Sequence, residues 1–363
     1  MNWTKSIAAD GFSIADTARI LPGHEPLTSD RSFIGGVSHC YNNLLMGIWG
    51  YASLIGMDLE KSDPFQAWMT QLEEYIQSGS NLMHLLFGYI GERRSAARKL
   101  RLKQLKIELE AYHKICEPNE KLSEIDRCIV QLHNCRTRPQ LAASIARVID
   151  RMFSLLYQKR SLIDERSLQS PKAAAYLDKI DDLLLRGADL ILKLQYYAGV
   201  RIPIKRTICL KSIVMRRIAA ILIRKPNLDL TFRDSVNMPE IDADLHQVDF
   251  ALDQLLRNAV QAVSEEEKIE VRLSTLYSES PQDRCGVHML KDYAVITLVD
   301  TGKGMTTSFQ SKIFEPFFTG IKGQGRAGLG LSAAAGIIRA HGGYIQVRSK
   351  TSMGSTFKIY LPL

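Results

Sequence analysis

The sequence lacks the features that mark a membrane-spanning or secreted protein. It contains no run of about 18 uncharged apolar residues, which is close to the minimum for a transmembrane helix. Residues 1–30 lack the basic start and apolar core of a signal peptide. The six cysteines are scattered without a C-x-x-C pair, which argues against disulfides and zinc sites. We therefore expect a cytoplasmic protein with reduced thiols and no membrane insertion.

The sequence also lacks a strong excess of one charge. Its 47 Lys and Arg residues against 39 Asp and Glu residues give a formal net charge of +8 at pH 7. This excess is too small to indicate nucleic-acid binding. The 363 residues, of which 45% are hydrophobic, are enough for two or three domains with ordinary cores.

Apolar residues three and four positions apart predict a helical N-terminal half. The pattern covers residues 31–98, where Ser62-Asp63-Pro64 separates two helices of an antiparallel hairpin. Residues 99–140 are ambiguous and are treated as a linker or insert. The helical period returns over residues 141–200 as a second, degenerate hairpin. Residues 1–30 show no clear period and form an N-terminal segment.

The C-terminal part, residues 205–363, has a different pattern. Short strand-like runs alternate with two long helical patterns and three glycine-rich turns. Such a mixture predicts an α/β sandwich with helices on one face of a sheet. The predicted fold is therefore a set of helical hairpins forming a four-helix bundle, followed by an α/β sandwich domain.

Glycine-rich motifs in this domain indicate a ligand that approaches the backbone closely. Asp300 ends an apolar run, and Gly302 and Gly304 follow it in a D-x-G-x-G pattern. Gly328 and Gly330 open a helix, whose first amide groups suit a phosphate. Each motif alone is weak, because many turns contain the same residue types.

Three further motifs complete an ordered set. Gln254 and Asn258 lie four positions apart on one helical face, where an amide oxygen can hold a hydrated Mg²⁺ ion. A phenylalanine-rich segment at 313–319 follows Asp300, and a Gly-Ser-Thr-Phe segment at 354–357 precedes the last strand.

In this order the motifs resemble the catalytic ATP-binding domain that histidine kinases share with gyrase and Hsp90, over about residues 205–363. The resemblance implies that Asp300 hydrogen-bonds the adenine amino group, that Asn258 binds Mg²⁺ with Gln254 beside it, and that residues 320–327 form a lid over ATP. The residues implied to bind the nucleotide are Asn258, Asp300, Gly302, Gly304, Lys322, Gly328, Gly330 and Thr356.

Two positions depart from the family pattern. The family usually places its lid lysine nearer the threonine, so Lys322 is a loose match. Gyrase and Hsp90 carry a glutamate one turn before the Mg²⁺ asparagine, whereas this chain has Gln254, which cannot act as a general base. The departure favours phosphoryl transfer to a protein nucleophile over an ATP-driven clamp.

Residues 33–45 resemble the histidine box of nitrogen-regulator-type sensor kinases. The resemblance implies that His39 is the phosphoacceptor, since a neutral imidazole is a competent nucleophile. It also implies that Asn43 orients water for dephosphorylation. The family carries an acidic residue where this chain has Cys40, and a thiol with a pKa of about 8.5 is a poor base at neutral pH. Autophosphorylation is then slow, or the base comes from elsewhere.

The two helical hairpins resemble each other. Residues 75–89 align with 183–197, and residues 37–45 align with 148–156. In the second copy Asp150 replaces the histidine, so only the first copy can accept phosphate. The alternative is the general likeness of all amphipathic hairpins. If the repeat is real, the hairpins form a bundle within one chain, which favours a monomer over the usual homodimer.

The leading functional prediction is an ATP-dependent protein-histidine kinase, a transferase of two-component signal transduction. It would autophosphorylate on His39 and pass the phosphate to an aspartate on a separate response regulator. The alternatives are an ATP-binding regulator, weakened by Cys40, that serves as a docking or phosphatase module, and an ATP-driven clamp. The sequence names neither the upstream sensor nor the response regulator.

Overall fold

The computed structural model divides the chain into two compact units, Glu25–Ala198 and the combination of Met1–His24 with Gly199–Leu363. The predicted linker at 99–140 lies mostly outside the described residues, although 103–105 are helical. The structure describes residues 17–19, 31–58, 64–91, 103–105, 107, 135, 137–161, 170–234, 238–264, 267–277, 292–320 and 327–363.

The first unit contains four long helices. Two of them start with a proline, Pro64 and Pro171. Proline is tolerated at the first position of a helix because the backbone N–H there would have no acceptor within the helix. Ser170 precedes the last helix, and its Oγ accepts a hydrogen bond from the backbone N–H of Ala173 at 3.4 Å. The four helices are α1 (Arg31–Asp58), α2 (Pro64–Gly91), α3 (Arg138–Ser161) and α4 (Pro171–Ala198).

These helices close into a four-helix bundle within one chain. Helix α1 packs against α2 and α4, and α3 packs against α4. The ring is completed between α2 and α3, where the Tyr75 hydroxyl donates to the carbonyl oxygen of Met152 at 3.1 Å. Each fully buried leucine or isoleucine in the shared core contributes about 1.5–3 kcal/mol. The apolar stripes of both hairpins are therefore covered without a second chain.

Equivalent positions of the two hairpins share their environment in the bundle. Tyr41 and Met152, which are 111 positions apart, meet in the core, where the Tyr41 hydroxyl lies 3.2 Å from the Met152 Sδ. His39 and Asp150 are both exposed on their helices. Other aligned pairs that are buried in both copies are Met69 and Leu177, Leu72 and Ile180, Leu82 and Leu190, Met83 and Ile191, and Leu86 and Leu194.

The second unit is a sheet with helices on one face. Its elements are β1 (Thr17–Arg19), β2 (Arg206–Ile208), α5 (Leu210–Arg224), β3 (Asp229–Asp234), β4 (Ile241–Ala243), α6 (Leu245–Ala262), β5 (Lys268–Leu276), β6 (Tyr293–Asp300), α7 (Thr307–Gln310), α8 (Gly330–Ala340), β7 (Tyr344–Ser349) and β8 (Ser355–Pro362). The strand order of the sheet is β1-β7-β8-β6-β5-β3; the β3–β5 pair is parallel and the other pairs are antiparallel. Strands β2 and β4 form a separate two-stranded sheet.

Alternation along the strands builds the core of this unit. Every second residue of β5, β6 and β8 is buried on the face that α6 and α8 cover. The predicted fold of helical hairpins followed by an α/β sandwich is confirmed. The helix-facing residues of the three central strands include Ile269, Val271, Ile296, Leu298, Phe357 and Ile359.

The N-terminal segment contributes a strand that the sequence did not indicate. Residues Thr17–Arg19 pair antiparallel with β7, with Ala18 opposite Val347. Three residues are too few to show a period of two, so the alternation test cannot detect this strand. The chain thus enters the sheet unit first, builds the bundle, and then returns to complete the sheet unit.

Among the helices that the structure describes, none is long and apolar enough to cross a membrane.

A bundle closed within one chain predicts a monomer. We expect light scattering at micromolar concentration to give a mass near 40.8 kDa. A stable dimer of about twice that mass at the same concentration would contradict this expectation.

Candidate functional site

Asp300 is a buried carboxylate at the end of β6. Its side chain faces the helices, and the residue is 2% exposed. Its Oδ1 accepts hydrogen bonds from the backbone N–H groups of Gly302 at 3.1 Å and Ser355 at 3.2 Å. Burial raises the pKa of Asp300 to about 6, with a smaller contribution from Glu267, while the hydrogen bonds oppose the rise.

The loop after β6 packs directly against neighbouring backbone. A Cβ added at Gly302 would lie 2.2 Å from the carbonyl oxygen of Ala262, at the end of α6. A Cβ added at Gly304, which has a φ of +60°, would lie 1.9 Å from the carbonyl oxygen of Lys350. Any side chain at either position would push apart elements that meet around Asp300.

Helices α6 and α8 bring two further motifs together. Gly330 is the first residue of α8, and a Cβ added there would lie 2.7 Å from the Gln254 Oε1 on α6. Gln254 donates through Nε2 to the Asp253 Oδ2 at 3.3 Å, which leaves its amide oxygen on the side of Gly330. One turn later, the side chain of the half-buried Asn258 makes no hydrogen bond within the described part of the chain.

A buried histidine fixes α6 relative to α8. Asp244 caps α6 by accepting hydrogen bonds from the N–H groups of His246 at 3.0 Å and Gln247 at 3.1 Å. The Asp244 N–H in turn donates at 3.0 Å to the Nε2 of His341, at the end of α8. Burial lowers the pKa of His341, which keeps Nε2 free to accept this bond.

The outer side of α6 carries an ion-pair network. Arg217 of α5 binds the carboxylates of Asp249 and Asp253, the latter at 3.0 Å, and Arg257 binds Asp253 at 2.6 Å. The network holds Asp253, whose carboxylate in turn accepts a hydrogen bond from the amide of Gln254. Sequence patterns did not identify Arg217, because its partners Asp249 and Asp253 lie on a different helix, whereas Arg257 follows Asp253 by four residues on α6.

The structure brings most of the predicted nucleotide-binding residues together. Five of them come together around the loop after β6 and the start of α8, namely Gln254, Asn258, Gly302, Gly330 and Asp300. Gly304 belongs to the same loop, and Gly328 lies beside Phe317, whose N–H donates to its carbonyl oxygen at 3.0 Å. Lys322 lies outside the described residues.

Thr356 lies on the opposite face of the sheet from Asp300. In the β6–β8 register, Asp300 is opposite Ser355, and Thr356 is opposite Val299. Because neighbouring residues of a strand face opposite sides, the side chain of Ser355 rather than that of Thr356 hydrogen-bonds Asp300, and the Ser355 backbone N–H donates to it as well. Ser355 shares the period of two with the apolar residues Phe357 and Ile359 along β8, and this period is a sequence signal that could have identified Ser355 as the residue facing Asp300.

The predicted phosphoacceptor is exposed on α1 in the other unit. Its partner one turn later is Asn43, whose Nδ2 lies 3.3 Å from the Nδ1 and 3.4 Å from the Nε2 of His39. Cys40 is half-buried, and burial raises the pKa of its thiol while Lys193 opposes the rise. The thiol is therefore protonated at neutral pH and cannot replace the acidic base of the family pattern.

The C-terminal domain matches a known family. Residues 243–363 match the family described as histidine kinase-, DNA gyrase B-, and HSP90-like ATPase. The site therefore belongs to an ATPase-type domain of this class. The resemblance of the chain to two-component sensor histidine kinases is also confirmed, through the following relatives.

Three curated relatives are sensor kinases. The sensor kinase CckA of Brucella abortus is 28% identical over 229 residues, covering 61% of this chain and 24% of that protein. The sensor histidine kinase ZraS of Escherichia coli is 35% identical over 136 residues, covering 38% and 26%. The sensor protein FixL of Bradyrhizobium diazoefficiens is 26% identical over 249 residues, covering 67% and 47%. The chain thus spans about a quarter to a half of the length of these relatives.

Solved structures of similar proteins are histidine kinases as well. Full-length ShkA in complex with AMPPNP aligns with a TM-score of 0.46 and 18% identity, covering 62% of this chain and 46% of that chain. The catalytic domain of histidine kinase ThkA aligns with a TM-score of 0.36 and 26% identity, covering 44% and 95%.

The raised pKa of Asp300 predicts that Asp300→Asn stabilises the ligand-free protein. Asn keeps the Oδ1 acceptor and removes a charge that burial disfavours, so the free energy of unfolding at pH 7 should rise by up to about 3 kcal/mol, at about 1.4 kcal/mol per pKa unit.

The pH dependence provides a check. The native carboxyl ionises near pH 6 and the unfolded one near pH 4, so wild type loses stability as pH rises through this range. The difference between variant and wild type should therefore grow from about pH 4 to about pH 6 and stay constant above. Urea unfolding at several pH values measures it; a less stable variant at pH 7 would contradict the assignment.

Proposed function

We propose that this chain is an ATP-dependent protein-histidine kinase that autophosphorylates on His39 and passes the phosphate to an aspartate of a response regulator. The observation that carries the proposal is the convergence of Asp300, Asn258 and the start of α8 on one site of the ATPase class. The response regulator and the upstream sensor act as separate partners, and we place the reaction in the cytoplasm, where ATP is available.

The residues at the site fit an adenine nucleotide. The buried Asp300 is an acceptor without much competition from water, which suits the amino group of adenine. The N-terminal amide groups of α8, which starts at Gly330, suit phosphate oxygens. Backbone packs so closely at Gly302 and Gly304 that the pocket is shaped by main chain rather than by mobile side chains.

The residues also fit Mg²⁺. The amide oxygen of Asn258 is neutral, half-buried and unused by the described residues, and Gln254 presents a second amide oxygen nearby. Hard cations such as Mg²⁺ prefer oxygen ligands of this kind. The bound Mg²⁺–ATP complex would supply the phosphoryl group. Lys322, in the segment that the family resemblance identifies as a lid, is kept as a candidate phosphate contact.

His39 is the group that accepts the phosphoryl. Its exposure on α1 leaves the imidazole accessible to another domain, and no side chain at Gly35 restricts the helix surface one turn earlier, where an added Cβ would meet nothing within 4 Å. With the Cys40 thiol protonated, proton removal from the attacking imidazole is left to solvent. Intrinsic autophosphorylation is therefore slow.

A second function, phosphatase or docking activity toward the response regulator, is supported by Asn43. Its amide lies within hydrogen-bond distance of His39, where it can orient a water molecule as in the nitrogen-regulator-type kinases. This chemistry does not need an acidic group at position 40. The chain would then act as an ATP-binding regulator that retains phosphatase activity toward the response regulator better than it retains kinase activity.

Nucleotide binding is predicted to depend on one face of the sheet. Asp300→Asn and Asn258→Ala should each lower ATP affinity at least tenfold by calorimetry while leaving the circular dichroism spectrum unchanged. Thr356→Ala is the matched control, because Thr356 lies on the opposite face. An ATP affinity equal to that of wild type in all three variants would remove the basis of the proposed function.

Phosphorylation is predicted to depend on positions 39 and 40. Incubation with γ-labelled ATP should give acid-labile, base-stable label in wild type and none in His39→Gln. Cys40→Glu restores an acidic base and should raise the initial rate about tenfold or more, since general-base help is worth about 10²–10⁴-fold. Cys40→Ser controls for loss of the thiol. A rate for Cys40→Glu no higher than that of Cys40→Ser would show that the base is not missing.

A further inference from the structure

Helix α4 of the second hairpin carries two ion pairs of the same polarity. The Arg186 Nη2 lies 2.7 Å from the Asp182 Oδ2, and the Lys193 Nζ lies 2.6 Å from the Asp189 Oδ2. In each pair the carboxylate precedes the cation by four residues, which is the favourable order on a helix. The Lys193 side chain is largely buried, at 18% exposure, although Asp189 is half exposed. Lys193 is thus packed against the bundle rather than extended into solvent.

The packing of α4 on α1 sets these cations beside the histidine box. The helices run antiparallel, with the ring centroids of Phe33 and Tyr197 6.3 Å apart. Further along, a Cβ added at Gly47 would lie 2.8 Å from the Leu183 Cδ1. His39 lies near the middle of this stretch, next to its midpoint, Cys40.

The stretch of α4 opposite His39 is therefore the middle of the segment between Leu183 and Tyr197. Arg186 precedes this middle position on α4, and Lys193 follows it. Consistent with this placement, the Lys193 ammonium acts electrostatically on Cys40, the residue next to His39.

The two hairpins differ at these positions. In the alignment of Gly79 with Gly187, the first-copy equivalents of Arg186 and Lys193 are Ser78 and Leu85, which carry no charge. These lie on α2, the helix that contacts α3. On α3, Asp150 occupies the place of the histidine.

The cations therefore flank the copy that keeps the histidine, and uncharged residues flank the copy that lost it. An ordinary solvated helix face gives no reason for this difference between the copies.

We propose that Arg186 and Lys193 form a basic pair that stabilises the phosphoryl group on His39. The proposal rests on the proposed function. A nitrogen of His39 forms the N–P bond while the bond from phosphorus to the bridging oxygen of ATP breaks; its electron pair leaves with ADP, and the imidazole proton goes to solvent.

The phosphoryl group brings negative charge to an exposed helix surface. Cations held nearby before the transfer stabilise that charge without having to reorganise. Arg186 and Lys193 then exchange their carboxylate partners for phosphoryl oxygens, and Asp182 and Asp189 are exposed enough to be solvated in their place.

The test uses the full chain and a small phosphoryl donor, phosphoramidate, which phosphorylates histidine without the ATP-binding domain. Arg186→Gln and Lys193→Gln are made singly and together, with Lys193→Arg as the variant that keeps the charge. Lys172→Gln is the matched control, because Lys172 is exposed on the same helix about 30 Å away along its axis.

Phosphohistidine formation and hydrolysis are followed by ³¹P NMR. We expect the double variant to form phosphohistidine about tenfold more slowly than wild type, Lys193→Arg to retain most of the wild-type rate, and Lys172→Gln to match wild type. The same order should hold for labelling from ATP.

A double variant that reacts as fast as Lys172→Gln overturns this inference and leaves the proposed function intact. A wild-type chain labelled by phosphoramidate but not by ATP overturns the kinase proposal alone. Equal losses in Lys193→Arg and Lys193→Gln would show that packing rather than charge matters, and would also overturn the inference.

Discussion

The Asp300 carboxylate accepts hydrogen bonds from the backbone of two loops, one after β6 and one before β8. Both loops can reach it only because glycines let main chain meet main chain without intervening side chains. The end of α6 and the start of α8 close on the same point, held by the Asp244–His341 contact at their other ends. Burial leaves this carboxylate with a raised pKa, so the domain keeps at its centre a charge that an amino group of a ligand can stabilise.

The four-helix bundle buries the apolar faces of both hairpins within one chain. Joining them in one chain does what two identical subunits do elsewhere, and it removes the requirement that the halves stay identical. In a symmetric dimer every substitution appears twice. In this chain Asp150 can replace the histidine of one half while the other half keeps His39, and α4 can carry Arg186 and Lys193 where α2 has Ser78 and Leu85. The Tyr41–Met152 contact marks where the two halves meet.

The two units share the chain in an unusual order. Strand β1 belongs to the sheet unit, the bundle follows, and the remaining sheet comes last. Two connections therefore join the units, one on each side of the bundle.

The sequence by itself determined the features that depend on local backbone chemistry. Helical periods placed the four long helices, and the glycine motifs with Asp300, Asn258 and Gln254 placed the candidate nucleotide site, because turns, helix starts and close approaches restrict residue type wherever they occur. Only the tertiary structure decided which residues meet across elements. It put Ser355 rather than Thr356 beside Asp300, added β1 to the sheet edge, paired His341 with Asp244, and brought Lys193 near Cys40. These contacts join residues far apart in the chain, and strand register and helix packing, which set them, leave no short-range pattern in the sequence.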